Sequence, residues 1–114
     1  MKSIEEILAT DDAHRETIEV PEWGTAITVV SMTALERADI ERAWSKKEAS
    51  SDPAKFRCDV LSRSIKNGDN KPWGTPEQFA SLMGKNAEVI ERLFESACRL
   101  SGFSGRDVKE LEKN

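Results

Sequence analysis

The fold is decided within residues 18–40, which read IEVPEWGTAITVVSMTALERADI. Apolar and polar residues alternate in the segments IEV and AITVV, on both sides of the turn PEWG. Alternation of β-branched residues around a Pro/Gly turn predicts a β-hairpin, for which Pro21 presets φ and Gly24 accepts positive φ. We place this hairpin at about residues 17–31. Because a two-stranded ribbon alone is marginal in water, it must lie against helices.

Helical patterning takes over after the hairpin and also precedes it. At three predicted helix starts a Ser or Thr is followed three residues later by Glu or Gln, the capping-box spacing. These pairs are Ser3–Glu6, Thr33–Glu36 and Thr75–Gln78. The most regular apolar spacing of i, i+3, i+4 lies in NAEVIERLFESACRLSG, and Gly102 ends it. The predicted fold class is therefore mainly α, with about four or five helices and one N-terminal β-hairpin.

The apolar positions of each helix predict which side faces the core. In the first helix they fall on one face, formed by Ile4, Ile7 and Leu8. In the helix that follows the hairpin, the predicted apolar side comprises Leu35, Ala38, Ile40, Ala43 and Trp44. We expect residues 1–102 to form a single α-rich domain and residues 103–114 to be a C-terminal tail, either a frayed helix or disordered.

Composition narrows the functional classes. The chain has 114 residues, of which 38% are hydrophobic and 33% charged, with a net charge of −4. This is typical of a globular domain, and the dispersed Lys and Arg residues disfavour nucleic-acid binding. No apolar run approaches the roughly 18 residues of a membrane span, and MKSIEEIL has glutamates where a signal peptide is apolar. We therefore expect a cytosolic protein that binds no membrane, with Cys58 and Cys98 as small buried hydrophobes in a reducing compartment.

The residues that could carry chemistry are sparse. His14, the single histidine, lies in the polar stretch TDDAHRE without a second nitrogen ligand or an adjacent nucleophile. The cluster NGDN at residues 67–70 lacks the order of an EF-hand loop. No phosphate loop, nucleophile elbow or Cys-x-x-Cys pattern occurs, and most glutamates fall on polar helix faces. The sequence predicts no enzyme, no cofactor and no metal site.

Three tryptophans stand out in a chain without tyrosine. Trp44 has helical spacing and is expected in the core. Trp23 and Trp73 lie in turns, where the ring either folds back onto the helices or remains outside as an anchor for a partner. Both alternatives stay open at this point.

The order of these motifs resembles the tail assembly chaperones of long-tailed, siphovirus-type bacteriophages and prophages. In that family a ribbon of the pattern v-P-e-W-g precedes a helix of the pattern l-t-x-x-E-r, as in VPEWGTAITVVSMTALER here. The segment LSRSIKNGDNKPWGTPEQFASLMGKNAEVIERLFESACRLSG matches the family's turn, short helix and long terminal helix. The resemblance covers residues 18–102.

The resemblance implies a non-enzymatic role in the host cytoplasm. Such proteins bind the tape measure protein and the tail tube protein during assembly and are absent from the finished virion. It also implies a homo-oligomer, and the hairpin edge is one candidate surface for pairing between copies. Candidate partner-binding residues are Trp23, Ile27, Val29, Trp73 and Phe103.

Two further expectations remain at the level of the sequence. In this family a longer product often arises when ribosomes slip back one base, and Glu112, Lys113 and Asn114 can be encoded by GAA-AAA-AAC, which contains a slippery heptamer. The alternative function is a small helical regulatory or adaptor domain of the antitoxin-like kind. Such a domain would need a positive helix face to bind DNA, and its DNA affinity would depend on salt.

Overall fold

The computed structural model describes residues 1–44 and 52–103. Within them the chain forms five α-helices and one antiparallel hairpin, which confirms the prediction of about four or five helices with an N-terminal hairpin. The elements in order are α1 (Ile4–Leu8), β1 (Arg15–Val20), a 3-10 turn (Pro21–Trp23), β2 (Thr25–Val30), α2 (Ala34–Trp44), α3 (Pro53–Ser64), α4 (Pro76–Leu82) and α5 (Ala87–Leu100). The predicted tail beyond Phe103, with Glu112, Lys113 and Asn114, lies outside the described residues.

The hairpin forms where the alternating pattern places it. Ile18 of β1 pairs with Ile27 of β2, and Glu16 pairs with Val29. Gly24 has φ 68°, the left-handed conformation that the turn needs. The inner face packs on the helices, and its buried residues are Val20, Ile27 and Val29.

A short third segment extends the hairpin on the β2 side. α3 ends at Ser64, and Ile65 forms an isolated antiparallel bridge with Val29. The chain then turns back, so that the backbone N–H of Trp73 donates to the carbonyl of Ile65 at 3.2 Å. The bridge between Val29 and Ile65 fixes where the loop before α4 leaves the core.

The three predicted capping boxes are all present. The backbone N–H of Glu6 donates to Ser3 Oγ at 3.2 Å, that of Glu36 to Thr33 Oγ1 at 3.1 Å, and that of Gln78 to Thr75 Oγ1 at 3.1 Å. In each pair the Glu or Gln side chain also accepts from the backbone N–H of the cap residue. Local hydrogen bonds therefore begin these helices at the residues that the sequence indicates.

The core lies between the hairpin and α2, α3, α4 and α5. At its centre the ring of Phe56 packs edge-on against Trp44, at 5.2 Å between centroids, and against Phe94, at 5.8 Å. The indole N–H of Trp44 donates to Asp59 Oδ2 at 2.9 Å, which satisfies the polar atom of a buried ring. The core position predicted for Trp44 is confirmed.

Two predicted helix faces differ from the structure. The apolar face of α1 is exposed, and α1 contributes no buried residue. In α2 only Ile40 and Trp44 are buried, whereas Leu35 is 81% exposed. Leu35 lies roughly 140° around the helix axis from Ile40 at 3.6 residues per turn, so the two side chains are on different sides of α2. Arg37 takes the inward side, with its guanidinium 4.4 Å from the ring centroid of Phe103.

Candidate functional site

The three tryptophans differ in exposure. Trp44 is buried, and Trp23 is half-buried against the core. Trp73 is 45% exposed, although its ring still makes an edge contact with Phe79 at 6.1 Å between centroids. The structure therefore places Trp23 in the role of a ring folded back on the helices and leaves Trp73 as the candidate anchor.

Trp73 borders an apolar hollow of about 320 Å³. Its described lining residues are Trp73, Gly74, Gln78, Phe79 and Leu82, none of them charged. We call this surface the Trp73 hollow. A volume at the low end of binding pockets suits a few side chains of a partner polypeptide.

The loop before α4 holds Trp73 at this position. Asn67 Oδ1 accepts from the backbone N–H groups of Asp69 and Lys71 at 3.2 and 3.3 Å, and Asn70 takes a left-handed conformation with φ 64°. Asn is among the residues that tolerate this backbone. The turn NGDN is therefore structural, and its effect is to present the indole ring beside α4.

Gly74 brings the loop close to α4. A Cβ at this position would lie 3.1 Å from Gln78 Oε1 and 3.6 Å from the ring of Phe79. The same Gln78 Oε1 accepts from the backbone N–H of Thr75 at 2.9 Å in the capping box. The sequence signal PWGTPEQ thus specifies both the start of α4 and the floor of the Trp73 hollow.

Three other candidate contact residues lie inside the molecule. Ile27 and Val29 are on the inner face of the hairpin, and Phe103 packs at the end of α5 beneath Arg37. Their exposed fractions are 6%, 0% and 7%, respectively. Their apolar side chains form the core, so they are removed from the candidate contact surface, which retains Trp73. The packing of Phe103 depends on a contact with Arg37 that spacing alone does not reveal.

A second groove, of about 670 Å³, lies beside α2, α3 and the loop. Four of its charged residues form two ion pairs: Lys66 Nζ lies 3.0 Å from Glu36 Oε1, and Arg63 donates to Asp59 at 2.9 Å. Burial, with a smaller contribution from Asp59, raises the pKa of the Cys58 thiol in this groove. A raised pKa keeps the thiol protonated at neutral pH and makes it a poor nucleophile.

The edge of β1 carries charged contacts. Arg92 of α5 donates to the carbonyl of Glu19 at 3.4 Å and pairs with Glu22 at 3.0 Å. Its hydrogen bond lowers the pKa of the Glu22 carboxyl. Arg99 pairs with Glu16 farther along the same strand. These groups occupy the edge that strand pairing between copies would use, which disfavours that mode of association.

No group of three or more His, Cys, Asp or Glu residues that could hold a metal ion occurs in residues 1–44 and 52–103. His14 is exposed in the strand-entry segment, where its backbone N–H donates to Ser31 Oγ at 3.0 Å. None of the helices in the described residues combines the length and the hydrophobicity of a membrane span.

Comparison with known proteins shows a solved structure with a similar fold. No family model matches the chain, and no curated protein matches its sequence. Among solved structures, the bacteriophage HK97 tail assembly chaperone is similar, with a TM-score of 0.55 at 14% identity. The similarity covers 89% of this chain and 95% of that structure. The chain therefore has the fold of the bacteriophage HK97 tail assembly chaperone.

Proposed function

We propose that this protein is a tail assembly chaperone of a long-tailed bacteriophage or prophage. It acts in the host cytoplasm without catalysis, binds the tape measure protein and the tail tube protein, associates with copies of itself, and is absent from the finished virion. The observation that carries this proposal is the fold match over 89% of the chain, which agrees with the order of motifs in residues 18–102.

The Trp73 hollow is the surface that we assign to the tape measure protein. A long helical polypeptide exposes its apolar stripes to water until tube subunits assemble around it. An amphipathic helix can bind a partner by placing such a stripe in an apolar groove. An indole ring that is 45% exposed beside uncharged lining residues fits this mode of contact. Individually weak contacts gain strength when several copies bind one long partner.

Co-expression with a fragment of the cognate tape measure protein tests the function. The fragment is expected to be insoluble alone and to become soluble with this protein in excess. Trp73→Ala is expected to abolish most of this effect, whereas Leu35→Ala, which shortens another exposed apolar residue, leaves it unchanged. A fragment that stays insoluble with the wild-type protein in excess would contradict the proposal.

Stability measurements separate contact from packing in this test. Trp73→Ala is expected to lower the free energy of unfolding by roughly 1–2 kcal/mol, since half the ring is already in water. Phe79→Ala, which empties the buried position beneath it, is expected to cost roughly 3–5 kcal/mol. Urea unfolding of both variants therefore shows whether lost binding reflects a lost contact or a damaged core.

A further inference from the structure

The helix α1 presents an apolar face that its own chain leaves uncovered. Ile4, Ile7 and Leu8 are 65%, 52% and 77% exposed, although their spacing puts them side by side. A helix shorter than roughly 12–15 residues is marginal in water unless packing supports it. The Ser3–Glu6 capping box stabilises α1 locally, but no residue of α1 is buried. Docking on a surface outside its own chain would supply that support.

The Trp73 hollow is the acceptor whose chemistry matches this face. Branched aliphatic side chains need an apolar concavity, and aromatic rings with Leu82 line the hollow. The larger groove beside α2 and α3 is lined by several charged side chains instead, which would lose hydration under an aliphatic face. The Trp73 hollow thus accepts α1 at the lower desolvation cost.

The charges around the two surfaces are also complementary. The first turn of α1 carries Glu5 and Glu6. Lys71 and Lys85 are exposed and flank the lining segment 73–82 in the sequence, and the backbone N–H of Lys85 donates to the carbonyl of Leu82 at 3.0 Å. Within residues 71–85, Glu77 is the single acidic residue beside these two lysines, so this stretch carries a net charge of +1.

We propose that α1 of one copy docks in the Trp73 hollow of a second copy of this chain. Donor and acceptor are different surfaces, so a docked pair keeps one free donor and one free acceptor, and association continues head to tail into chains or closed rings. This inference deepens the proposed function, and it rests on that function only in expecting copies to associate. It assigns the contact to Ile4, Ile7 and Leu8 of the donor and to Trp73 and Leu82 of the acceptor.

Two blocked variants test the arrangement in the purified full chain, without any partner. The donor variant carries Ile4→Asp and Leu8→Asp. The acceptor variant carries Leu82→Glu, which puts a carboxylate against Glu5 and Glu6 of the incoming helix. Light scattering coupled to size exclusion measures the mass. The wild type is expected to grow with concentration, and each variant alone is expected to stay near the 12.8 kDa of one chain.

The mixture of the two variants is the decisive sample. Each retains the surface that the other lacks, so an equimolar mixture is expected to form a dimer and to stop there. Leu35→Asp, a charge placed on an exposed apolar residue outside both surfaces, is the control and should assemble like the wild type. If thermal melting shows that Leu82→Glu is unfolded, Trp73→Asp replaces it as the acceptor variant.

Three results would overturn the inference. They are a wild type that stays monomeric, a blocked variant that assembles as the wild type does, and a mixture that remains monomeric. A monomeric wild type would also contradict the self-association in the proposed function, whereas the other two results concern the interface alone. Solubilisation of the tape measure fragment is measured separately, so failure of the interface and failure of the chaperone function are distinguishable.

Discussion

At the scale of single residues, the position of Trp73 results from several short-range constraints. Its backbone N–H is bound to the carbonyl of Ile65, and Asn70 and Gly74 allow the loop to approach α4. The indole therefore remains at the surface because the backbone on both sides of it is held. In contrast, Trp23 lies in a 3-10 turn that ends at Gly24, and its ring packs against the core.

Gly24 provides a prediction at this scale. Its φ of 68° is unfavourable for residues with a Cβ, although the space around it is open. Gly24→Ala is therefore expected to lower the free energy of unfolding by roughly 1–2 kcal/mol, through backbone conformation alone. Gly68→Ala is the matched control, since a Cβ there also meets nothing within 4 Å and its φ is not in the positive range. Its change is expected to stay within about 0.5 kcal/mol.

Urea unfolding curves of Gly24→Ala and Gly68→Ala measure these two changes in the free energy of unfolding. Equal effects at positions 24 and 68 would contradict the account of the hairpin turn. Gly24→Asn should fall between the wild type and Gly24→Ala, because Asn adopts the left-handed conformation more readily.

At the scale of secondary-structure elements, side-chain contacts join the hairpin to α5. Arg92 contacts the turn through Glu22 and the β1 edge through the carbonyl of Glu19, and Arg99 pairs with Glu16. On another face of α5, Arg57 of α3 donates to Glu91 at 3.2 Å and lies over the ring of Phe94. The long helix α5 is thereby tied to both the sheet and the helical half of the core.

The Arg92–Glu22 pair predicts a pH dependence. Its hydrogen bond lowers the pKa of Glu22 in the folded protein below the value in the unfolded chain. The pair therefore stabilises the fold above the unfolded pKa, and this stabilisation is lost as pH falls through the folded pKa. The stability difference between the wild type and Glu22→Gln is expected to be present at neutral pH and to disappear in acid.

Carboxyl resonances followed by NMR give a direct measurement of this pair. Glu22 should titrate below the ordinary glutamate range in the wild type and return toward it in Arg92→Gln. An unchanged Glu22 titration in Arg92→Gln would show that Arg92 is not the cause. Because both groups are exposed, salt should weaken the effect.

At the scale of the whole molecule, one surface serves two proposed contacts. The hollow beside Trp73 is assigned both to a stripe of the tape measure protein and to α1 of a neighbouring copy. The two occupants cannot be present at once, so self-association would keep the hollow covered until a partner helix displaces α1. This exchange would also spare an exposed apolar patch from unspecific contacts.

Competition between the two occupants is testable. The donor variant with Ile4→Asp and Leu8→Asp leaves every hollow open, so it is expected to bind a tape measure fragment more tightly than the wild type. If nine-tenths of wild-type hollows are occupied, the apparent Kd should improve by roughly 10-fold. Calorimetry at a concentration where the wild type is assembled measures this difference. Equal affinities would exclude a shared hollow.

Local sequence determined the elements of this fold. The three capping boxes, the alternating ribbon around PEWG and the regular spacing of α5 all depend on residues within about four positions of one another, where backbone conformation and short-range hydrogen bonds are set. The mainly helical class and the hairpin follow from these patterns, and so does the core position of Trp44.

Only the tertiary structure decided which faces are covered. Spacing put Ile4, Ile7 and Leu35 on apolar faces, yet these side chains are exposed, while Phe103 is buried under Arg37. Likewise, the two turn tryptophans look equivalent in sequence and differ in exposure because different elements lie beside them. Burial depends on contacts between residues far apart in the chain, which local periodicity does not encode, and the hollow beside Trp73 exists only once α3, its following loop and α4 have packed.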